Sequence, residues 1–157
     1  KPKVAFVCTH NSCRSQMAQV ILNHLGKGRF EALSAGSKPS GYVHPLALKT
    51  LQESRLSIEG LRSKSWEEFQ GQPFDFVITV CDRAKESCPI WPGQPVTAHW
   101  GFEDPADATG TDEQKMRVFR KIFTEIQARI ALFLAIPIEK LSYLELEKQV
   151  RQLGNPS

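Results

Sequence analysis

Residues 4–22 read VAFVCTHNSCRSQMAQVIL, and this stretch decides the fold. Its first part is an apolar run without polar alternation, which is typical of a β-strand buried on both faces. From Arg14 onward, Met17, Ala18 and Ile21 recur at the spacing of an α-helix. A buried strand, a short polar loop and a helix together form the first part of a βαβ unit.

The same alternation continues along the chain. Strands are predicted at 3–8, 29–36, 74–81 and 96–100, and helices at 14–26, 44–56, 63–70 and 113–135. Right-handed crossovers place such strands in a parallel sheet. The sequence therefore predicts an α/β fold with one domain, residues 1–137, in which helices cover both faces of a four-stranded parallel sheet. A C-terminal helical extension is predicted at 138–157, packed either on this domain or on a neighbouring molecule.

Composition limits the kinds of function. The 157 residues are 41% hydrophobic and carry a net charge of +3 with scattered basic residues, which suits an anionic substrate better than nucleic acid. No apolar stretch approaches the roughly 18 to 20 residues of a membrane span, and the first residues are too short before the first polar break to be a secretory signal. We therefore expect a cytoplasmic protein without a membrane or nucleic-acid partner. Cysteines in a reducing cytosol are more often catalytic, redox-active or metal-binding than structural.

Three distant segments are predicted to meet at one edge of the sheet. Cys8 and Cys81 end the first and third strands, and residues 101–107 follow the fourth strand. Ligands bind beyond the carboxyl ends of the strands in open parallel sheets. This edge is the predicted active site.

Residues 8–15 have the form C-x5-R-S between a strand and a helix. Such a loop turns its N–H groups around a hollow, and with the helix N-terminus it binds a tetrahedral oxyanion. Arg14 clamps two anion oxygens, Asn11 adopts the left-handed conformation, and the positive field favours Cys8 as a thiolate. The predicted oxyanion-binding residues are Thr9, His10, Asn11, Ser12, Cys13, Arg14 and Ser15. The alternative is an ordinary buried cysteine followed by a surface arginine.

Four segments carry a resemblance to a known family. They are CTHNSCRSQMA (8–18), SAGS (34–37), VITVCDRAKESCP (77–89) and HWGFEDPA (99–106). These resemble the arsenate reductases built on the low-molecular-weight tyrosine phosphatase fold, and the resemblance spans about residues 3 to 135. It implies an enzyme of arsenical resistance and detoxification that reduces arsenate to arsenite without a bound cofactor.

The resemblance also implies an order of reaction. Cys8 attacks arsenate, Cys81 attacks the sulfur of Cys8 as arsenite departs, and Cys88 attacks Cys81. The resulting redox-active Cys81–Cys88 disulfide is reduced by thioredoxin, with glutaredoxin and a small thiol as the alternative reductant. Asp104 matches the general acid of the related phosphatases. Taken singly, Cys81 is also compatible with a core residue, Cys88 with an incidental exposed thiol, and Asp104 with a loop cap.

Two other functions stay open at this point, and a zinc site is the alternative use of the cysteines. The C-x5-R-S loop is shared with low-molecular-weight phosphotyrosine phosphatases, although Gln16 stands where those enzymes usually carry proline and no tyrosine closely follows Asp104. A non-enzymatic arsenite or redox sensor would use the cysteines as soft ligands, but the sequence lacks a DNA-binding element. Zinc is disfavoured, and no metal is predicted, because C-x4-C and C-x6-C spacings differ from zinc knuckles.

The resemblance also leads to an expectation about potassium. Potassium-stimulated reductases of this kind carry acidic groups near the positions of Gln19 and Lys64. The Lys64 amine is therefore predicted to take the place of the cation and to brace Asn11, which implies no potassium dependence. The alternative is that Lys64 points into solvent.

Overall fold

Four parallel strands form the centre of the fold. A computed structural model describes residues 1–81 and 91–154. The strands are β1 (Lys3–Cys8), β2 (Glu31–Gly36), β3 (Phe76–Thr79) and β4 (Val96–His99), in the order β2-β1-β3-β4. Val7 lies beside Ala35 on one side and Thr79 on the other, so the strands end at a common edge. The predicted parallel sheet is confirmed.

Four α-helices accompany the sheet in the described part of the chain. They are α1 (Arg14–Leu25), α2 (Pro45–Glu53), α3 (Asp112–Leu134) and α4 (Tyr143–Gln152), with 3₁₀ turns at Trp66–Phe69, Pro105–Asp107 and Ile138–Lys140. The segment predicted as a short helix at 63–70 is only a 3₁₀ turn, capped by Ser65. No helix among these described residues is both long and apolar enough to cross a lipid bilayer.

The core lies on both faces of the sheet. All residues of β1 from Val4 to Cys8 are buried, and alternate side chains of a strand point to opposite faces. Phe133 of α3 packs against three aromatic side chains of the core. Its ring centroid lies 5.3 Å from that of Phe30, 5.2 Å from that of Phe76 and 5.8 Å from that of Trp100. The predicted buried strand is confirmed, and β1 lies between β2 and β3 in the sheet.

Helix α4 packs on β4 of its own domain. The indole N–H of the fully buried Trp100 donates to the carbonyl oxygen of Val150 over 3.0 Å. This contact decides between the two placements considered for the C-terminal helix. The division of the chain at residue 137 stays a prediction.

Side chains pair with the main chain at both outer edges of the sheet. On β2, the Asn23 amide donates to the carbonyl oxygen of Ala32 and accepts its N–H, at 3.1 and 2.9 Å. On β4, the N–H of Thr97 donates to Glu147 over 3.3 Å and its carbonyl oxygen accepts from Arg151 over 2.9 Å. Helices α1 and α4 therefore each engage main-chain groups of one outer strand.

Replacement of Trp100 by phenylalanine tests the attachment of α4. We expect the Trp100→Phe variant to lose about 2–3 kcal/mol of unfolding free energy, because the Val150 carbonyl loses its donor and the smaller ring leaves a void. Urea denaturation measures this loss. The exposed Tyr143 hydroxyl also bonds to a carbonyl, that of Pro95, and Tyr143→Phe should cost less than about 1 kcal/mol. Equal losses in the two variants would contradict the predicted contribution of Trp100.

Candidate active site

The carbonyl groups of the loop after β1 are held on its outer side. Those of Cys8, Thr9, His10 and Ser12 accept main-chain N–H groups of Ser37, Lys38, Ser40 and His44, at 3.3, 2.8, 3.0 and 2.9 Å. All four donors belong to the segment that connects β2 with α2. These four hydrogen bonds fix the direction of the peptide groups whose carbonyls they hold.

The two remaining carbonyls of the loop are held from α1. The carbonyl of Asn11 accepts from the side-chain amide of Gln16 over 3.0 Å, and that of Cys13 accepts from the N–H of Met17 over 3.0 Å. In a trans peptide the N–H points away from the C=O. Outward carbonyls therefore leave the loop's N–H groups facing inward.

Five inward groups are available to an anion. Within residues 1–81 and 91–154, the N–H groups of His10, Ser12, Cys13, Arg14 and Ser15 meet no hydrogen-bond acceptor. No acidic residue lies in the first turn of α1, so its positive end is not neutralised there. This arrangement suits the oxygens of a tetrahedral anion.

The Cys8 sulfur lies at the bottom of this loop and is buried. It contacts the Ser15 hydroxyl at 2.9 Å and accepts the Asn11 N–H over 3.1 Å. The Asn11 side-chain amide donates to the same hydroxyl oxygen over 2.8 Å, which directs the Ser15 hydrogen toward the sulfur. Asn11 has φ of 50°, so its predicted left-handed conformation is confirmed.

Cys81 brings a second thiol against the first. The Cys81 sulfur accepts the Thr9 N–H over 3.1 Å, lies 3.3 Å from the Thr9 hydroxyl, and shares a hydrogen bond with Cys8. The predicted convergence of the ends of β1 and β3 is therefore observed. Thr9 contacts the Cys81 sulfur in this structure, and its predicted contact with an oxyanion stays a prediction.

The protonation of Cys8 differs from the expectation. The hydrogen bond with Cys81 and burial raise the pKa of the Cys8 thiol well above its ordinary value. They outweigh Ser15 and Arg14, which lower this pKa. The expected preference for a thiolate neglected the second thiol, because two thiols in contact do not readily carry two negative charges.

Arg14 joins the loop to the segment after β4. Its guanidinium donates from Nη1 to the carbonyl oxygen of Phe102 over 2.8 Å, and Nη2 lies 3.4 Å from the Asp104 carboxylate. Asp104 also accepts the N–H of Ala106 over 3.0 Å, so it caps the Pro105–Asp107 turn as well as facing the site. The structure thus brings Cys8, Arg14, Cys81 and Asp104 together.

The Cys13 thiol belongs to the loop and makes none of the side-chain contacts described above. Burial raises the pKa of Cys13 to about 12, so this thiol stays protonated at neutral pH. Cys88 lies outside the described residues. Among the described residues, no group of three or more His, Cys, Asp or Glu side chains is arranged to hold a metal ion.

The prediction that the Lys64 amine braces Asn11 is wrong. The main-chain N–H of Lys64, not its amine, donates to the Asn11 side-chain oxygen over 3.0 Å. The amine lies 3.4 Å from the Ser34 hydroxyl and 3.1 Å from the carbonyl oxygen of Arg62. Burial lowers the pKa of Lys64 to about 8, and the side chain is only 8% exposed, so the solvent-facing alternative is also wrong.

Gly36 leaves the loop the space that it needs. A Cβ atom at this position would lie 2.5 Å from the Thr9 carbonyl oxygen and 3.0 Å from that of Cys8. The sequence reasoning recognised the SAGS segment only as part of the resemblance and assigned Gln16 no contact. A glycine at the end of a predicted strand was the available signal for close packing here.

The matches to known proteins agree with this geometry. Residues 3–151 match the family described as low molecular weight phosphotyrosine protein phosphatase. The chain belongs to this family. Within it, the chain is 40% identical over 133 residues to an arsenate reductase of Halalkalibacterium halodurans, which covers 85% of this chain and 95% of the relative. It is 35% identical to a glutaredoxin arsenate reductase of a Synechocystis species, with 85% and 96% covered.

The solved structures that resemble this protein include arsenate reductases and a tyrosine phosphatase. An arsenate reductase in an oxidized state superposes with a TM-score of 0.72 at 32% identity, covering 86% of this chain and 98% of the other. A thioredoxin-dependent arsenate reductase of Corynebacterium glutamicum gives 0.59 at 30% identity, with 83% and 62% covered. A low molecular weight protein tyrosine phosphatase from T. tengcongensis gives 0.66 at 27% identity, with 90% and 100% covered.

Removal of the second thiol tests its effect on Cys8. We expect Cys81→Ala to shift the pH midpoint of Cys8 alkylation downward, because the largest cause of the raised pKa is gone. Iodoacetamide labelling followed by mass spectrometry of the Cys8 peptide measures the midpoint. Cys13→Ala is the matched control and should leave it in place. An unchanged midpoint in Cys81→Ala would show that burial alone sets the pKa.

Potassium should not stimulate the protein. The Lys64 amine already lies beside Ser34, where a cation would meet a positive charge whenever the amine is protonated. We expect equal arsenate turnover in potassium and sodium chloride at the same ionic strength. The comparison is a variant carrying Gln19→Glu and Lys64→Asp, which has acidic groups at the positions where the potassium-stimulated reductases carry them. A clear rise with potassium in the unsubstituted protein would refute the prediction.

Proposed function

We propose that this protein is an arsenate reductase that converts arsenate to arsenite through a relay of thiols. The observation that carries the proposal is the second thiol, Cys81, held against the Cys8 thiol at the oxyanion loop. Hydrolysis of a phosphate ester needs one nucleophilic sulfur. Reduction of arsenic by two electrons needs a second sulfur within reach of the first.

In the first step the loop holds arsenate over Cys8. The inward N–H groups and Arg14 bind its oxygens, the Cys8 thiol passes its proton to an arsenate oxygen, and the resulting thiolate attacks the arsenic atom. A sulfur–arsenic bond forms as one oxygen leaves, and Asp104 supplies the proton that lets it depart as water. The position of Asp104 suits the role, because one of its side-chain oxygens lies 3.4 Å from the Arg14 guanidinium that would hold the same anion.

In the second step Cys81 attacks the sulfur of Cys8. A disulfide forms between them, the sulfur–arsenic bond breaks, and its electron pair reduces arsenic(V) to arsenic(III), which leaves as arsenite. Thr9 supports this step, since its N–H and hydroxyl both lie within hydrogen-bond distance of the Cys81 sulfur. Such contacts stabilise the thiolate that must attack.

In the third step Cys88 attacks Cys81 and releases Cys8 as a thiolate. The new Cys81–Cys88 disulfide then passes to a dithiol reductant, which returns both residues to thiols. We propose thioredoxin for this task, with glutaredoxin as the alternative. One family member named above is thioredoxin-dependent and another is a glutaredoxin arsenate reductase. We place the protein in the cytoplasm and assign it no bound cofactor.

A phosphotyrosine phosphatase is the second candidate, because the family includes such enzymes and the loop is common to both. Gln16 and the segment after Asp104 favour the reductase. Asp104-Pro105 is followed by Ala106 and Asp107, so no aromatic side chain stands there to hold a phosphotyrosine ring.

The thiol relay is tested by arsenate-dependent NADPH oxidation, coupled either to thioredoxin and its reductase or to glutaredoxin with glutathione. We expect Cys81→Ser and Cys88→Ser each to abolish turnover with thioredoxin, because each removes one sulfur of the transferred disulfide. Cys81→Ser should keep whatever aryl-phosphate hydrolysis the unsubstituted protein has, since Cys8 and its loop are intact.

Cys13→Ser is the matched control for these variants. Its sulfur contacts Ser12 at 3.7 Å, it has no role in the relay, and its replacement should leave turnover within about threefold of the original. Full activity of Cys88→Ser with thioredoxin would remove the third step. Absence of arsenate reduction by the unsubstituted protein in both systems would remove the proposed function itself.

A further inference from the structure

Gln16 lies in the first turn of α1 and is completely buried. Its side-chain nitrogen lies within hydrogen-bond distance of three oxygens: 3.0 Å from the Asn11 carbonyl, 3.0 Å from the Asn11 side-chain oxygen and 2.8 Å from the Arg62 carbonyl. A cluster of three acceptors fixes this atom as the donor nitrogen rather than the oxygen of the amide. No step of the proposed reaction uses this side chain.

The Asn11 carbonyl differs from the other outward carbonyls of the loop. Main-chain N–H groups hold those of Cys8, Thr9, His10, Ser12 and Cys13. The Asn11 carbonyl instead accepts from a side chain, at the one loop residue with positive φ. A side chain therefore controls the peptide group between Asn11 and Ser12.

The direction of this peptide group decides what an oxyanion meets. While the carbonyl of Asn11 points outward to Gln16, the N–H of Ser12 points inward, where it can donate to an oxygen of the anion. Rotation of the same peptide would turn a carbonyl oxygen inward and the N–H outward. The anion would lose a donor and gain a repulsive partial negative charge.

Gln16 also supports the Asn11 side chain. Its amide nitrogen and the Lys64 N–H both reach the Asn11 side-chain oxygen, which leaves the Asn11 nitrogen to donate to Ser15. Ser15 in turn contacts the Cys8 sulfur. The Gln16 side-chain oxygen is itself buried without a partner in the described part of the chain. An apolar residue would avoid that cost, so the donor nitrogen is what the position requires.

We propose that Gln16 is a positioning residue, which holds the peptide between Asn11 and Ser12 so that the loop keeps a high affinity for oxyanions. The inference rests on the proposed role of this loop in arsenate binding. It assigns Gln16 no contact with the substrate. Its effect on Cys8 passes through Asn11 and Ser15.

Gln16→Met tests the proposal, because methionine has a similar length and cannot donate. The probe is inorganic phosphate, titrated calorimetrically into the reduced protein. We expect its Kd to rise about 10- to 100-fold, the loss of one hydrogen bond to a charged group. The pH midpoint of Cys8 alkylation should also rise, since the Asn11 N–H and Ser15 no longer hold their places. In arsenate turnover the KM should increase by a factor similar to the Kd, with kcat changed less.

Asn23→Leu is the matched control on the same helix. The Asn23 amide also bonds to main-chain groups, those of Ala32, but at the outer edge of β2. Its loss should lower stability and leave the phosphate Kd and the Cys8 midpoint unchanged. If both variants weaken phosphate binding equally, Gln16 acts only through stability and the proposal is overturned.

Gln16→Glu provides a second variant of nearly the same size. At neutral pH its carboxylate cannot donate and repels the Asn11 carbonyl, so we expect weaker phosphate binding than in the unsubstituted protein. As the pH falls and the carboxyl group is protonated, it regains a donor, and the ratio of the two Kd values should approach one. A ratio that is constant with pH, or unaltered affinity in Gln16→Met, would overturn the proposal. Failure of the unsubstituted protein to bind phosphate would instead remove the oxyanion site.

Discussion

The site depends on one constraint: a peptide group cannot turn its N–H inward without turning a carbonyl outward. Each outward carbonyl beside a buried loop needs a donor. The segment from Ser37 to His44 provides four of these donors, Met17 a fifth and Gln16 the sixth. The anion loop is therefore the product of three pieces of chain, the end of β1, the exit from β2 and the first turn of α1. Gly36 allows the first two to lie close together.

The two sulfurs at this loop constrain each other electrostatically. Cys8 and Cys81 share a hydrogen bond in a buried place, which raises the pKa of Cys8 and opposes negative charge on both sulfurs at once. Such a pair suits a reaction in which one sulfur attacks first and the other attacks later. In the proposed reaction, the arsenate oxygens engage Arg14 and the inward N–H groups while Cys8 is bonded to arsenic, so Cys81 alone then has to act as a thiolate.

Much of the fold follows from the sequence because its signals are local. Apolar runs and helical spacing gave the four strands and the four α-helices, and the rule for parallel sheets brought Cys8 and Cys81 to one edge. The shift in the Cys8 pKa could not be predicted from the sequence, because it depends on the distance between two thiols that lie 73 residues apart along the chain. The contact of Lys64 was assigned to its amine although the main chain makes it. The contacts of Gln16 could not be predicted either, because they depend on where the fold places Asn11 and Arg62.

The pairing of side chains with the outer strands has a consequence for how other proteins approach. An exposed strand normally offers its peptide groups to a visiting extended chain, which can then add itself to the sheet. At Ala32 those groups are already occupied by Asn23, and at Thr97 by Glu147 and Arg151. An extended chain from another protein would have to displace these side chains before it could pair with β2 or β4. The dithiol reductant that we propose would therefore approach at the loop end of the sheet, where Cys8 and Cys81 lie.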